Sequence, residues 1–129
     1  MGLTHVTVKV RSFKSEDSFT TNFLVDTGAW HSFAPANELE RIGIKRRGKK
    51  EFELANGQLE EYDYGFAELE FMDEVIATRI IFGPPNTEPL LGAAALEEAG
   101  FLVDPKNETI RKMFVFPLKT VNFGENSYR

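Results

Sequence analysis

The sequence predicts a mainly β, chiefly antiparallel domain with two short helices, folded into a small closed or folded-over barrel. Three observations carry this expectation. Apolar residues recur with a period of two through most of the chain, clusters of turn formers separate those stretches, and only two segments have helical spacing. No alternation of strand and long helix marks a parallel α/β sheet, and no internal repeat is visible. With 129 residues, 42% of them hydrophobic, the chain has the size of one domain. A chain of this length buries roughly two-thirds of its unfolded surface, enough for a core without staples.

Val6, Val8 and Val10 alternate with Thr7, Lys9 and Arg11, so the first strand is placed at 4–11. The polar cluster Lys14-Ser15-Glu16-Asp17-Ser18 is a turn, and Phe19 to Val25 is the second strand of a hairpin. Pro35 ends the extended region, and 36–42 stopping at Gly43 reads as a helix of barely two turns. Phe52 and Leu54 alternate with Glu51 and Glu53. Asn56-Gly57 follows, then Leu59, Tyr62, Tyr64 and Phe66, which predicts a long hairpin whose two tip residues both take positive φ. The apolar phase moves from even positions at Tyr62, Tyr64 and Phe66 to odd ones at Leu69 and Phe71, predicting a bulge or corner near Gly65. A turn at Met72-Asp73-Glu74 leads to a strand with Ile76, Thr78, Ile80 and Phe82 on one face, closed by Gly83-Pro84-Pro85-Asn86. Leu91, Ala94, Ala95 and Ala99 form the apolar stripe of a second short helix, with Gly100 at its stop. Phe101 to Val103 and Thr109 to Phe116 make a last hairpin, for about seven strands in all.

Composition removes several function classes. The sequence has no Cys, which excludes disulfides, thiolate metal sites and Cys nucleophiles and is compatible with a reducing cytoplasm. Its two His, His5 and His31, lack metal-ligand spacing, so no metal is expected. No glycine-rich phosphate loop opens a helix, and no cofactor is implied. The net charge of −5 works against nucleic acid, and the one dense basic run, 45–50, reads as a solvated loop or as a contact for an acidic group. The start shows no secretory or myristoylation pattern and no apolar run is of membrane-spanning length, so a soluble cytoplasmic protein without membrane attachment is expected.

What remains is Phe23-Leu24-Val25-Asp26-Thr27-Gly28-Ala29, an acid issuing from an apolar strand, followed by a hydroxyl and a glycine. Asp is seldom buried unless paired or hydrogen-bonded. Gly28 lets the backbone turn so that its N–H groups approach the carboxylate, and the Thr27 hydroxyl can brace the loop. The same tripeptide also suits an ordinary strand-end turn in which the Asp bonds its own backbone.

The stretch from Phe23 to Ala29 resembles the active-site motif of the retropepsin-like aspartic proteases. Leu90-Leu91-Gly92, opening the helix at 93–99, resembles that family's second motif, and the 52–66 hairpin occupies the position of its flap. The likeness runs over about residues 4–116 and is nearest to the single-domain bacterial and archaeal members. It implies a protease domain over 1–116 built as one barrel lobe, with 117–129 either disordered or part of a dimer interface. It further implies a homodimeric endopeptidase acting on peptide or unfolded protein. Asp26 and its twofold mate would activate water, Thr27 would hydrogen-bond across the twofold, and Gly28 would face the carboxylate. Ala29, Trp30, Asn56 and Gly57 would border the substrate.

The chain departs from the viral pattern in two places. Trp30-His31 stands where viral members carry acidic residues, and the flap tip has one Gly. Trp30 walls a hydrophobic subsite, narrows the cleft or simply packs, and His31 either shifts the pH behaviour of the motif or is a polar residue of the rim. A dimeric peptide-binding module without turnover is therefore the alternative to the endopeptidase.

Overall fold

The computed structural model describes residues 4–104, 106–107 and 109–113. Their elements run β1 (His5–Arg11), β2 (Ser18–Val25), β3 (Ser32–Pro35), α1 (Ala36–Arg41), β4 (Gly48–Glu53) and β5 (Leu59–Phe71). Then follow β6 (Glu74–Gly83), β7 (Leu90–Leu91), α2 (Ala93–Glu98), β8 (Phe101–Asp104) and β9 (Thr109–Lys112). The expected segment 117–129, and the end of the last strand beyond 113, lie outside the described residues.

Seven strands form one sheet in the order β1-β2-β7-β3-β6-β5-β4, and β1 pairs a second time, through Lys9–Arg11, with Glu68–Glu70 of β5. The hydrogen-bonded path β1-β2-β7-β3-β6-β5 therefore returns to its first strand, with β4 extending β5 beyond it. β8 and β9 pair as a separate hairpin. Most pairings are antiparallel, as the short turns predict, but β2 with β7 and β3 with β6 are parallel. The sequence reading lacks β3 and β7 because strands of four and two residues are too short to display a period.

The alternating strand residues point inward as expected. Val8 and Val10 of β1, Phe23 and Val25 of β2, Ala67, Leu69 and Phe71 of β5, and Ile76, Ile80 and Phe82 of β6 are buried together. Each such large side chain removed from water contributes about 1.5–3 kcal/mol. Both helices dock on this core, α1 through Leu39 and α2 through Ala95 and Leu96. Each stops at the glycine expected to end it, Gly43 at φ 88° and Gly100 at φ 95°, conformations that cost a residue with a Cβ.

No bulge occurs at Gly65. The β5–β6 register is unbroken from Tyr64↔Ile81 to Phe71↔Glu74. What changes at Gly65 is the partner on the other edge, β4 as far as Tyr64 and β1 from Glu68 onward. A Cβ at Gly65 would collide with Lys45 O and lie 2.9 Å from Ile44 Cγ2. The glycine therefore admits the chain that crosses it on the way into β4. The apolar phase shift has a separate cause. From Gly65 onward the odd residues of β5 face the core, whereas Tyr64 and Phe66 meet edge-on on the other face, with the Arg79 guanidinium 4.2 Å from the Tyr64 ring centroid.

Candidate active site

β2 is held on both sides up to its last residue. Val25 N–H donates to Thr4 O at 2.7 Å, Leu24 N–H to Pro89 O at 2.9 Å, and Asp26 N–H to Leu91 O at 3.0 Å. The strand thus delivers Asp26, half-buried, onto the loop 26–31 with its main chain fixed to β7. The loop folds back at once, Ala29 N–H donating to Asp26 O at 3.1 Å and Gly28 N–H to the Asp26 carboxylate, Oδ1, at 3.0 Å. A Cβ on Gly28 would stand 3.3 Å from that oxygen, so the glycine leaves the carboxylate uncrowded. Among the described residues, Asp26 has no ion pair and the Thr27 hydroxyl has no hydrogen-bond partner.

Leu90, Leu91 and Gly92 lie directly under this loop. β7 fills the space between β2 and β3, parallel to the former and antiparallel to the latter. A Cβ at Gly92 would lie 2.6 Å from both Trp30 O and His31 O, so only glycine permits the crossing. Beyond it, Ala93 N–H donates to Ala29 O at 2.8 Å and Ala94 N–H to Trp30 O at 3.0 Å. These are N–H groups at a helix start, which have no partner inside the helix. The loop carbonyls and the helix start satisfy one another, which joins the two sequence motifs into one unit.

Beside the loop opens a groove of about 550 Å³, bounded by Gly28, Ala29, Trp30 and His31 on one side and by Phe52, Glu53 and Leu54 of the hairpin on the other. Its wall is aromatic. The Phe52 ring lies 5.2 Å from Phe33 and 5.9 Å from Tyr62, and His31 meets Phe52 edge-on at 6.1 Å. Trp30 is 56% exposed at the rim. Burial, and then the nearby Arg79 and Lys50 charges, hold the His31 imidazole below its ordinary range.

Asn56 and Gly57 sit at the hairpin tip, outside the residues that line the groove. The tip is a three-residue loop, 55–57, rather than the expected two-residue turn, because Leu54 N–H donates to Gln58 O at 2.8 Å and Gly57 N–H to Leu54 O at 2.8 Å. Gly57 alone takes positive φ, at 85°. Asn56 works through its side chain, Oδ1 accepting Gln58 N–H at 2.9 Å. Phe33, Phe52 and Tyr62 were not read as site residues, and neither was Ser32, whose buried hydroxyl bonds Gly92 N–H. The alternation around Phe52 and Tyr62 pointed to strand, and nothing in it distinguished a groove wall from a core face.

In the basic run, Arg46 pairs with Glu40 and with Asp63 at 2.7 Å and covers the Phe82 ring, while Lys49 pairs with Asp63 at 2.7 Å. Lys49, and then Arg46, hold the Asp63 carboxyl below the usual carboxylate range. Two cations of the run thus serve the fold itself. Among the described residues no group of three or more His, Asp or Glu is placed to hold a metal ion, and no helix is long and apolar enough to cross a membrane.

A mainly β fold, a carboxylate presented on a glycine turn and a groove beside it are features that fit the aspartic protease class. Comparison with known families matches residues 15–98 to the family described as "gag-polyprotein putative aspartyl protease". The chain belongs to this retropepsin-like family. No curated protein matches it.

Proposed function

We propose that the chain is a homodimeric aspartic endopeptidase in which each subunit supplies one Asp26. The observation that carries this reading is the solitary carboxylate. Asp26 stands two residues before Gly28, which lines the groove, and has one N–H donor, from Gly28, and no ion pair among the described residues. The chemistry needs two such groups, one carboxylate to take a proton from water and one carboxylic acid to donate to the peptide carbonyl oxygen. Two carboxyls about 3 Å apart hold one proton between them, which supplies both forms together. A twofold axis beside the loop would bring a second Asp26 to the first and would give the Thr27 hydroxyl, without a partner among the described residues, its bond across the axis.

In this reading the lobe is a closed barrel, supported by the return of β5 to β1, and the β4–β5 hairpin is the flap over the substrate. An extended peptide lies along the groove, with a large apolar side chain against Trp30, Phe52 and Tyr62. Water attacks the carbonyl carbon as its proton passes to the ionised Asp26. The other Asp26 protonates the carbonyl oxygen, and collapse of the tetrahedral species returns a proton to the departing amine nitrogen. No bond forms between enzyme and substrate.

The test is cleavage of a diverse pool of unstructured peptides by wild type and Asp26→Asn over about pH 3–8, a range bracketing a shared-proton pair, with products identified by mass spectrometry. Cuts present in wild type and absent in the variant support the endopeptidase. A folded dimer that makes no Asp26-dependent cut yet binds peptides supports the binding module.

A further inference from the structure

Ser32 opens β3 and is 2% exposed, and its only fellow among the buried polar residues described is Ser12. The Ser32 Oγ accepts the N–H of Gly92 at 2.9 Å. That N–H belongs to the peptide unit between Leu91 and Gly92, whose carbonyl, Leu91 O, accepts the N–H of Asp26 at 3.0 Å. A peptide unit is planar and turns as one body. Fixing its N–H therefore fixes the direction of its carbonyl, and with it the main chain of Asp26.

The backbone does not provide this restraint by itself. The β3–β7 ladder is a single pair, Phe33↔Leu90, and the next two carbonyl partners, Ala29 O and Trp30 O, are taken by Ala93 and Ala94. Without the hydroxyl, a buried N–H would be left unpaired, which is strongly disfavoured. Rotation of the Leu91–Gly92 unit relieves it and carries Leu91 O away from Asp26.

We propose that Ser32 is a positioning residue for Asp26, its hydroxyl setting the placement of the carboxylate through the Leu91–Gly92 peptide. The catalytic meaning of this role rests on the endopeptidase reading; the geometric role does not. A misplacement of about 1 Å at a reacting group costs about a hundredfold in rate. Ser32→Ala thus lowers kcat by about ten- to a hundredfold, with KM nearly unchanged because Trp30, Phe52 and Tyr62 still form the groove wall.

The experiment compares full-length wild type, Ser32→Ala and Ser32→Thr. It measures kcat and KM on a peptide that wild type cuts, thermal unfolding as a check of folding, and hydrogen exchange at the Asp26 and Gly92 amides. Expected are a fall in kcat and faster exchange at both amides in Ser32→Ala, with both recovered in Ser32→Thr, which restores the hydroxyl. A folded Ser32→Ala with wild-type kcat and wild-type exchange at Asp26 overturns the proposal. If Ser32→Ala does not fold, Ser32→Cys, with its weaker acceptor, takes its place. Intermediate exchange at both amides then supports the proposal, and wild-type exchange overturns it. Should wild type make no Asp26-dependent cut, the endopeptidase reading fails separately, and the exchange rates still decide whether Ser32 positions Asp26.

Discussion

At the scale of single residues, the steric and ionic surroundings of the loop 26–31 lead to two expectations. A methyl group on Gly92 meets two backbone carbonyl oxygens at 2.6 Å, and neither can withdraw without unseating the loop that carries Asp26. Gly92→Ala is expected to lower stability by about 3 kcal/mol, the upper end of ordinary overpacking. The check is a shift of the urea midpoint at unchanged slope. His31 is held below its ordinary value of 6.5 mainly by burial and then by Arg79 and Lys50. In the interval between its folded value and 6.5 the unfolded chain holds more protons than the folded one, so stability rises with pH there. This contribution is fully present above the unfolded value and is lost as pH falls through the folded value. His31→Gln is expected to flatten that part of a stability-against-pH curve, and an unchanged slope would contradict the assignment.

At the scale of elements, the two hairpins of β5 differ in how closely their tips follow the sequence. Asn56-Gly57, a strong signal for a two-residue turn, sits in a three-residue loop with one positive-φ residue. The turn expected at Met72-Asp73-Glu74 is a tight two-residue one at Met72-Asp73, where Phe71↔Glu74 is the closing pair and φ is 50° and 65°. Asp73 tolerates that conformation, as Asp often does in such turns, but Met72 does not suit it, and it costs about 1–2 kcal/mol for an ordinary L-residue. Replacing both, Met72→Asn with Asp73→Gly, is expected to raise stability by about 1 kcal/mol, allowing for the entropy glycine adds to the unfolded chain. Calorimetry checks it. At the other tip, a Cβ on Gly57 meets nothing within 4 Å, yet φ is 85°. Gly57→Ala should therefore cost about 1 kcal/mol from backbone strain alone. Its effect should appear as faster amide exchange confined to the β4–β5 hairpin. The long strands were legible because alternation over seven to thirteen residues has one good interpretation. β3 and β7 were not, since two to four residues carry no period, and β7 was absorbed into the start of α2.

At the scale of the whole molecule, the proposed activity belongs to a pair of chains. Specific activity is expected to fall as the protein is diluted through its dimer dissociation constant, in step with the mass measured by sedimentation. Added Asp26→Asn chain should poison wild type, because a mixed dimer holds one carboxylate where the chemistry needs two. Full activity from a demonstrated monomer would contradict both. The sequence by itself determined the mainly β class, both helix stops, and the pair of motifs around Asp26 and Gly92, because these depend on alternation, on glycine's access to positive φ and on residue chemistry at fixed local spacing. Only the tertiary structure decided that β7 inserts between β2 and β3, that β5 changes partner at Gly65, and that Phe33, Phe52 and Tyr62 wall one groove. It alone tied Ser32 to Asp26 through a single peptide unit. Those relations join residues far apart in the chain, and their geometry is set by close packing and by the pairing of buried N–H groups, which no local pattern of residues encodes.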